Sequence, residues 1–157
     1  MSNNSTLRQT LARFINRAEI SWFKVFDSSR GRKIIIVRGD EYAQLPLRFS
    51  TRAKVFAYFR RFWSVKFSRR LLCNLKTIVY RGRLYVIVGD PGPVPVKVVS
   101  LRILCRTSTR IRVRAVLTGG LPERQVIFYT IKLSSSRGLT IIRRSNLRFD
   151  YRYLPCK

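Results

Sequence analysis

The sequence predicts an α+β fold in which two helices from the N-terminal half pack on a curved, mainly antiparallel sheet of about six or seven strands. Three observations lead there. Apolar residues recur at helical spacing near the N-terminus; a second helical stretch, rich in aromatics, begins near residue 50; and beyond residue 70 short β-rich segments alternate with turn residues. A length of 157 residues suits a single basic domain over 1–157. Within it, 1–30 holds an amphipathic helix, 50–70 an aromatic and basic helix, and 72–155 an antiparallel meander.

In the first helix, from Thr6 to about Phe26, an apolar stripe comprises Leu7, Leu11, Phe14, Ala18, Trp22 and Val25, with Ser5 as a possible cap. Arg13, Arg17 and Lys24 form a basic stripe on a neighbouring face. Asp27 to Gly31 breaks the helix, and Ile34-Ile35-Ile36-Val37 then predicts one buried strand. Ser50 or Thr51 is placed to cap the second helix, where Phe56, Phe59, Trp63 and Phe67 share an apolar face and Lys54 and Arg61 point away.

Strands are expected near 72–80, 83–89, 95–106, 110–118, 124–134, 139–144 and 147–154. Turn chemistry separates them at Arg81-Gly82, Gly89-Asp90-Pro91-Gly92, Gly119-Gly120-Leu121-Pro122 and Ser134 to Gly138.

Charge is the most unusual property. Thirty-three Lys and Arg face seven Asp and Glu, with no histidine, for a net charge of +26. Self-repulsion on that scale opposes compaction, so a polyanionic partner is expected. Arginine supplies 25 of the cations, and its planar fork grips phosphate and stacks on bases in ways lysine does not. These features point to a non-catalytic RNA-binding structural protein, either a ribosome-like ribonucleoprotein component or a virus-encoded RNA-binding protein, with RNA and other proteins of a large assembly as partners.

The expected phosphate contacts fall in two clusters. No acidic residue occurs between Glu41 and Asp90, where Arg52, Lys54, Arg60, Arg61, Arg69 and Arg70 flank the aromatic segment. Strand alternation puts Arg110, Arg112 and Arg114 on one sheet face, joined by Arg102 and Arg106 if the preceding strand also alternates. On the last expected strand, Phe149, Tyr151 and Tyr153 alternate with Arg148, Asp150 and Arg152, offering a base-stacking platform if that aromatic face is exposed.

Two other readings compete. A peripheral membrane or matrix protein would set Arg13, Arg17 and Lys24 against anionic lipid while Leu11, Phe14 and Trp22 insert; this needs the first helix exposed. An interaction protein would meet an acidic partner through the meander and its edge strand.

Catalysis finds no support, since histidine is absent and the carboxylates are scattered. Cys73, Cys105 and Cys156 match no metal-ligand spacing and suggest buried thiols rather than a disulfide framework. Neither metal, cofactor nor small-molecule substrate is therefore expected, and the expected location is an intracellular reducing compartment: cytoplasm, nucleus or organelle interior. Arg or Lys interrupts every hydrophobic stretch before the roughly eighteen residues a membrane helix needs, and no signal peptide is expected.

Overall fold

In the computed structural model, which describes residues 2–120, 122–136 and 138–156, the N-terminal stripe forms helix α1 (Ser2–Asp27). Leu11, Ala18, Trp22 and Val25 are buried together with Ile15, while Arg13, Arg17 and Lys24 stay exposed on the other side. The Ser28 and Ser29 hydroxyls donate back to the Val25 and Phe26 carbonyls, and Gly31 takes a φ of 72° as the chain turns away. Leu121 and Arg137, which belong to two of the expected turns, lie outside the described residues.

The run after α1 makes strand β1 (Ile34–Val37), which is not buried as expected: Ile34 and Ile36 are 52% and 72% exposed. It is the edge of a hairpin with β2 (Asp40–Gln44), turned through Arg38 and Gly39, both at positive φ. Strand β2 has no β-branched residue to announce it. Pairing on both sides defines it instead, because it lies between β1 and β4 (Arg83–Ile87).

The second expected helix is two helices, α2 (Arg52–Phe59) and α3 (Val65–Asn74). Thr51 caps α2 by accepting from the Lys54 N–H at 3.1 Å, and Ser64 caps α3 by accepting from Phe67. The helix breaks between them because its backbone is recruited by strand β8 (Gly138–Arg144): Ser64 N–H donates to Ile141 O at 3.0 Å and Ile141 N–H to Phe62 O at 2.8 Å. Phe59, Trp63 and Phe67 still reach the core, and Phe56 is half-buried.

The strands form two four-stranded antiparallel sheets rather than one sheet of six or seven. The first runs β1-β2-β4-β3, with β3 spanning Thr77–Tyr80. The second runs β5-β6-β7-β8, from β5 (Lys97–Arg106) through β6 (Arg110–Thr118) and β7 (Gln125–Ser134). Ile111, Val113, Ala115 and Leu117 on β6 and Ile127, Tyr129 and Ile131 on β7 join the buried residues of the three helices in one apolar cluster. Each buried Val, Leu, Ile or Phe in it stabilises the fold by about 1.5–3 kcal/mol relative to exposure.

No strand forms over 147–154. Two 3-10 turns, Leu147–Phe149 and Tyr151–Tyr153, follow Asn146, which is left-handed at φ 60°. The Asp150 carboxylate accepts from the Arg152 N–H at 3.2 Å, so a side chain takes a backbone donor that a ladder would have used. The cysteine expectation is also corrected: Cys73 and Cys156 are both exposed and form a disulfide, and Cys105 is an exposed free thiol.

Candidate functional site: a braced loop on a cationic surface

The connection from β4 to β5 carries Val88-Gly89-Asp90-Pro91-Gly92-Pro93-Val94-Pro95-Val96. Its first half is exposed, apart from a half-buried Pro91, and Val94 and Pro95 are buried. Three prolines restrict φ, and the ends are tied to both sheets: Val88 N–H donates to Glu41 O at 2.9 Å and Val96 N–H to Thr118 O at 3.1 Å. The turn after β6 presses against it so closely that a Cβ on Gly119 would stand 2.6 Å from Val94 O. At the exposed tip, Asp90 presents a carboxylate that belongs to no salt bridge among the described residues.

Two side chains from the C-terminal segment hold this loop from beneath. The Tyr151 hydroxyl donates to Gly92 O at 2.8 Å, and Arg152 Nη2 donates to Pro95 O at 3.3 Å. Between the loop and α1 lies a cavity of about 440 Å³ lined by Trp22, Phe26, Leu75, Lys76, Gly89–Gly92 and Tyr151. Trp22 is buried there and its indole N–H has no acceptor among the described residues. Burial pushes the Tyr151 phenol up to about 12, with Arg152 opposing and Asp150 adding to the rise.

Arg152 is itself fully buried in a quartet of charges with Glu19, Arg144 and Asp150. Glu19 accepts from Arg144 Nε at 2.8 Å, Arg152 Nη2 at 3.1 Å, Tyr129 Oη at 2.8 Å and Tyr153 Oη at 2.6 Å. Burial alone would lift its carboxyl, but Arg144 and then Arg152 outweigh that and hold it below its ordinary value. Burial, reinforced by Glu19, raises both tyrosines well above theirs. Two carboxylates thus neutralise two guanidiniums inside the protein, so the whole charge excess lies outside the quartet. Glu19 was not foreseen; its signal was a carboxylate on the inward face of α1, four residues after Ile15 and three before Trp22.

Many of the basic residues singled out from sequence brace the fold. Arg52 donates to Thr77 Oγ1 and Thr77 O at 3.2 and 3.0 Å, Arg60 to Trp63 O at 2.8 Å, and Arg70 to Tyr153 O at 3.4 Å. The pairs Arg60-Arg61 and Arg69-Arg70 do not line one helix, because the break separates them. Lys54 and Arg61 border a cavity of about 620 Å³ with Lys24 and Arg48 over a floor of Phe49 and Tyr58. Arg48 sits 5.0 Å from the Phe49 ring centre and Arg61 5.8 Å from that of Tyr58. Lys66, Arg69 and Arg70 surround a second cavity, of about 530 Å³, beside Cys156.

On the second sheet, Arg110 and Arg112 are exposed and Arg114 half-buried on one face, with Ile111 and Val113 buried on the other, as alternation predicts. Arg102 lies directly opposite Arg114. Arg106 does not join them, because a bulge between Ile103 and Cys105 shifts the register and sets it opposite Ile111.

A family model of the IseA DL-endopeptidase inhibitors matches residues 7–136, most of the chain and all of the braced loop. The chain belongs to the IseA DL-endopeptidase inhibitor family. No curated protein matches it.

Membership in the IseA inhibitor family overturns the expectation of an RNA-binding structural protein, ribosomal or viral, because the family implies a peptidase, hence a protein, as partner. The family is one of inhibitors, which are not themselves catalysts. The stacking platform fails on geometry as well: Tyr153 is fully buried, Tyr151 is half-buried with its hydroxyl engaged by the loop, and Phe149, at 80% exposure, stands apart from both. The membrane reading fails because Leu11 and Trp22 are buried in the core and Leu7 and Phe14 pack against it, leaving Arg13, Arg17 and Lys24 without an apolar face to insert. The same excess of arginine suited both a phosphate backbone and an acidic protein surface, and composition does not separate the two.

Proposed function

We propose that this chain is a non-catalytic protein inhibitor of a DL-endopeptidase, and that it acts by lodging the Val88–Pro93 loop in the enzyme's substrate cleft. The observation that carries the reading is the family match over residues 7–136. The loop is favoured as the contact because it is exposed at its tip and fixed at its base. A loop held in its bound shape before association loses little conformational entropy on docking, the usual situation in peptidase–inhibitor complexes.

Asp90 gives the loop a distinct chemistry. It is the sole acidic residue between Glu41 and Glu123 and projects from a cationic protein, so a cleft with a positive lining would select it. Cations elsewhere on the protein play a different part. Arg102, Arg110, Arg112 and Arg114 on the sheet, with Lys24, Arg48, Lys54 and Arg61 in the aromatic-floored cavity, attract an acidic protein surface and speed encounter without contacting the cleft.

The test is direct. Purified protein is titrated into a DL-endopeptidase acting on a peptide with a D–L junction, and stoichiometric loss of hydrolysis is expected. Asp90→Lys should weaken inhibition at least about tenfold, equivalent to about 1.4 kcal/mol, with the fold intact by circular dichroism. Unchanged hydrolysis at saturating protein would sink the inhibitor reading, and full potency in Asp90→Lys would remove Asp90 from the contact.

A further inference from the structure

We propose that Tyr151 and Arg152 are positioning residues for the β4–β5 loop and that the Cys73–Cys156 disulfide switches their grip, so that inhibition is redox-sensitive. The inference rests on the loop being the inhibitory element.

The connection is continuous in the structure. Cys156 fastens the end of the described chain to α3 through Cys73, and the adjacent Asn74 Nδ2 donates to the carbonyls of Arg152 and Leu154, both at 2.9 Å. The segment pinned in this way contains Tyr151, whose hydroxyl holds Gly92 O, and Arg152, whose guanidinium holds Pro95 O. These two bonds are the side-chain ties on the loop backbone that come from the C-terminal segment. Tyr151, Arg152 and Cys156 lie beyond the matched residues 7–136.

The disulfide is placed to react. Cys73 and Cys156 are both exposed, so a dithiol reaches them. Lys66, Arg69 and Arg70 line a cavity with Cys156, and cations beside a departing thiolate favour its release. In the reaction a dithiol reductant attacks Sγ of Cys156 or Cys73 to form a mixed disulfide. Its second thiol then closes the reductant into a cyclic disulfide and releases the protein sulfur. Two electrons and two protons pass to the protein, leaving two free thiols and a C-terminal segment that has lost its covalent tie to α3 and is held by hydrogen bonds from Asn74 and by the buried quartet.

The experiment uses the full chain in a Cys105→Ser background, so that only this pair reacts. One sample is kept oxidised. The other is reduced with dithiothreitol, capped with iodoacetamide and desalted, so that no reductant reaches the peptidase. Amide exchange is followed by mass spectrometry at Gly89, Asp90, Gly92, Val94 and Val96, and inhibition of a DL-endopeptidase is measured in parallel. Reduction is expected to speed loop exchange at least tenfold and to weaken inhibition by a similar factor, while amides of β6 and β7 keep their protection. Tyr151→Phe in the oxidised chain, which removes only the donor to Gly92, should reproduce part of the exchange increase without a global loss of protection. Equal loop exchange in oxidised and reduced protein would overturn the proposal. If exchange responds but neither form inhibits, the brace stands and the inhibitor reading fails.

Discussion

Replacing Glu19 with Gln tests whether the buried quartet is the keystone joining α1 to β8 and the C-terminal segment. In the native protein Glu19 compensates two fully buried guanidiniums and accepts from two buried tyrosines. Glutamine keeps the shape but leaves Arg144 and Arg152 with Asp150 as their one carboxylate. Breaking a buried ion pair by removing one partner costs about 3–5 kcal/mol, a large share of the roughly 5–15 kcal/mol that holds a domain together. At about 2–4 °C per kcal/mol for a chain of this size, the melting temperature should fall by roughly 6–20 °C. The pH dependence supplies a second readout. Because the folded carboxyl lies below its ordinary value, its contribution is full above the unfolded carboxylate pKa and is lost as pH falls through the folded one. Native protein should therefore lose stability on acidification by a step that Glu19→Gln lacks. Calorimetry from pH 7 down to 2 measures both, and a variant within about 1 kcal/mol of native with the same acid profile would refute the reasoning.

Three further outcomes follow from the loop and the sheets. Gly119→Ala forces a methyl against the backbone of Val94 and Val96, and should cost about 1–3 kcal/mol while shifting loop resonances, read by melting and by amide spectra. Raising pH ionises Tyr151 only as its folded value of about 12 is approached, whereas the unfolded phenol titrates near about 10; the neutral form's contribution is intact below the latter and lost through the former. Loop exchange, corrected for its intrinsic base dependence, should rise across that window in native protein and not in Tyr151→Phe. Arg114→Glu turns a repulsive cross-strand pair with Arg102 into an attractive one and should raise stability by roughly 0.2–1 kcal/mol by denaturant melts, an effect that salt diminishes.

The helical stripe of α1, a cap for α2 at Ser50 or Thr51, the Arg81-Gly82 turn and the alternation of β6 were legible because each depends on neighbours within a turn or a strand pair of the same sequence segment. The break between α2 and α3 was not, since its cause is a hydrogen bond from Ser64 to Ile141, far along the chain. The edge position of β1 was hidden for the same reason: four β-branched residues in a row read as buried until the pairing order puts them at the rim. The loop was recognised only as a turn. Its prolines and glycines were visible, but the Tyr151 tie that makes it a braced surface comes from residues the sequence had suggested as a strand.

By itself the sequence determined the α+β class, the cationic character and the positions of most strands, because periodicity, β-branching and net charge are properties of the chain before it folds. Tertiary structure decided which charges are partners and which are surface. Glu19, Asp150, Arg144 and Arg152 look no different in sequence from their exposed counterparts, and become a neutral buried quartet only when α1, β8 and the C-terminal segment converge. The same convergence brings Cys73 to Cys156 and Tyr151 to Gly92, since both contacts join residues dozens of positions apart, a separation at which local pattern carries no information about proximity.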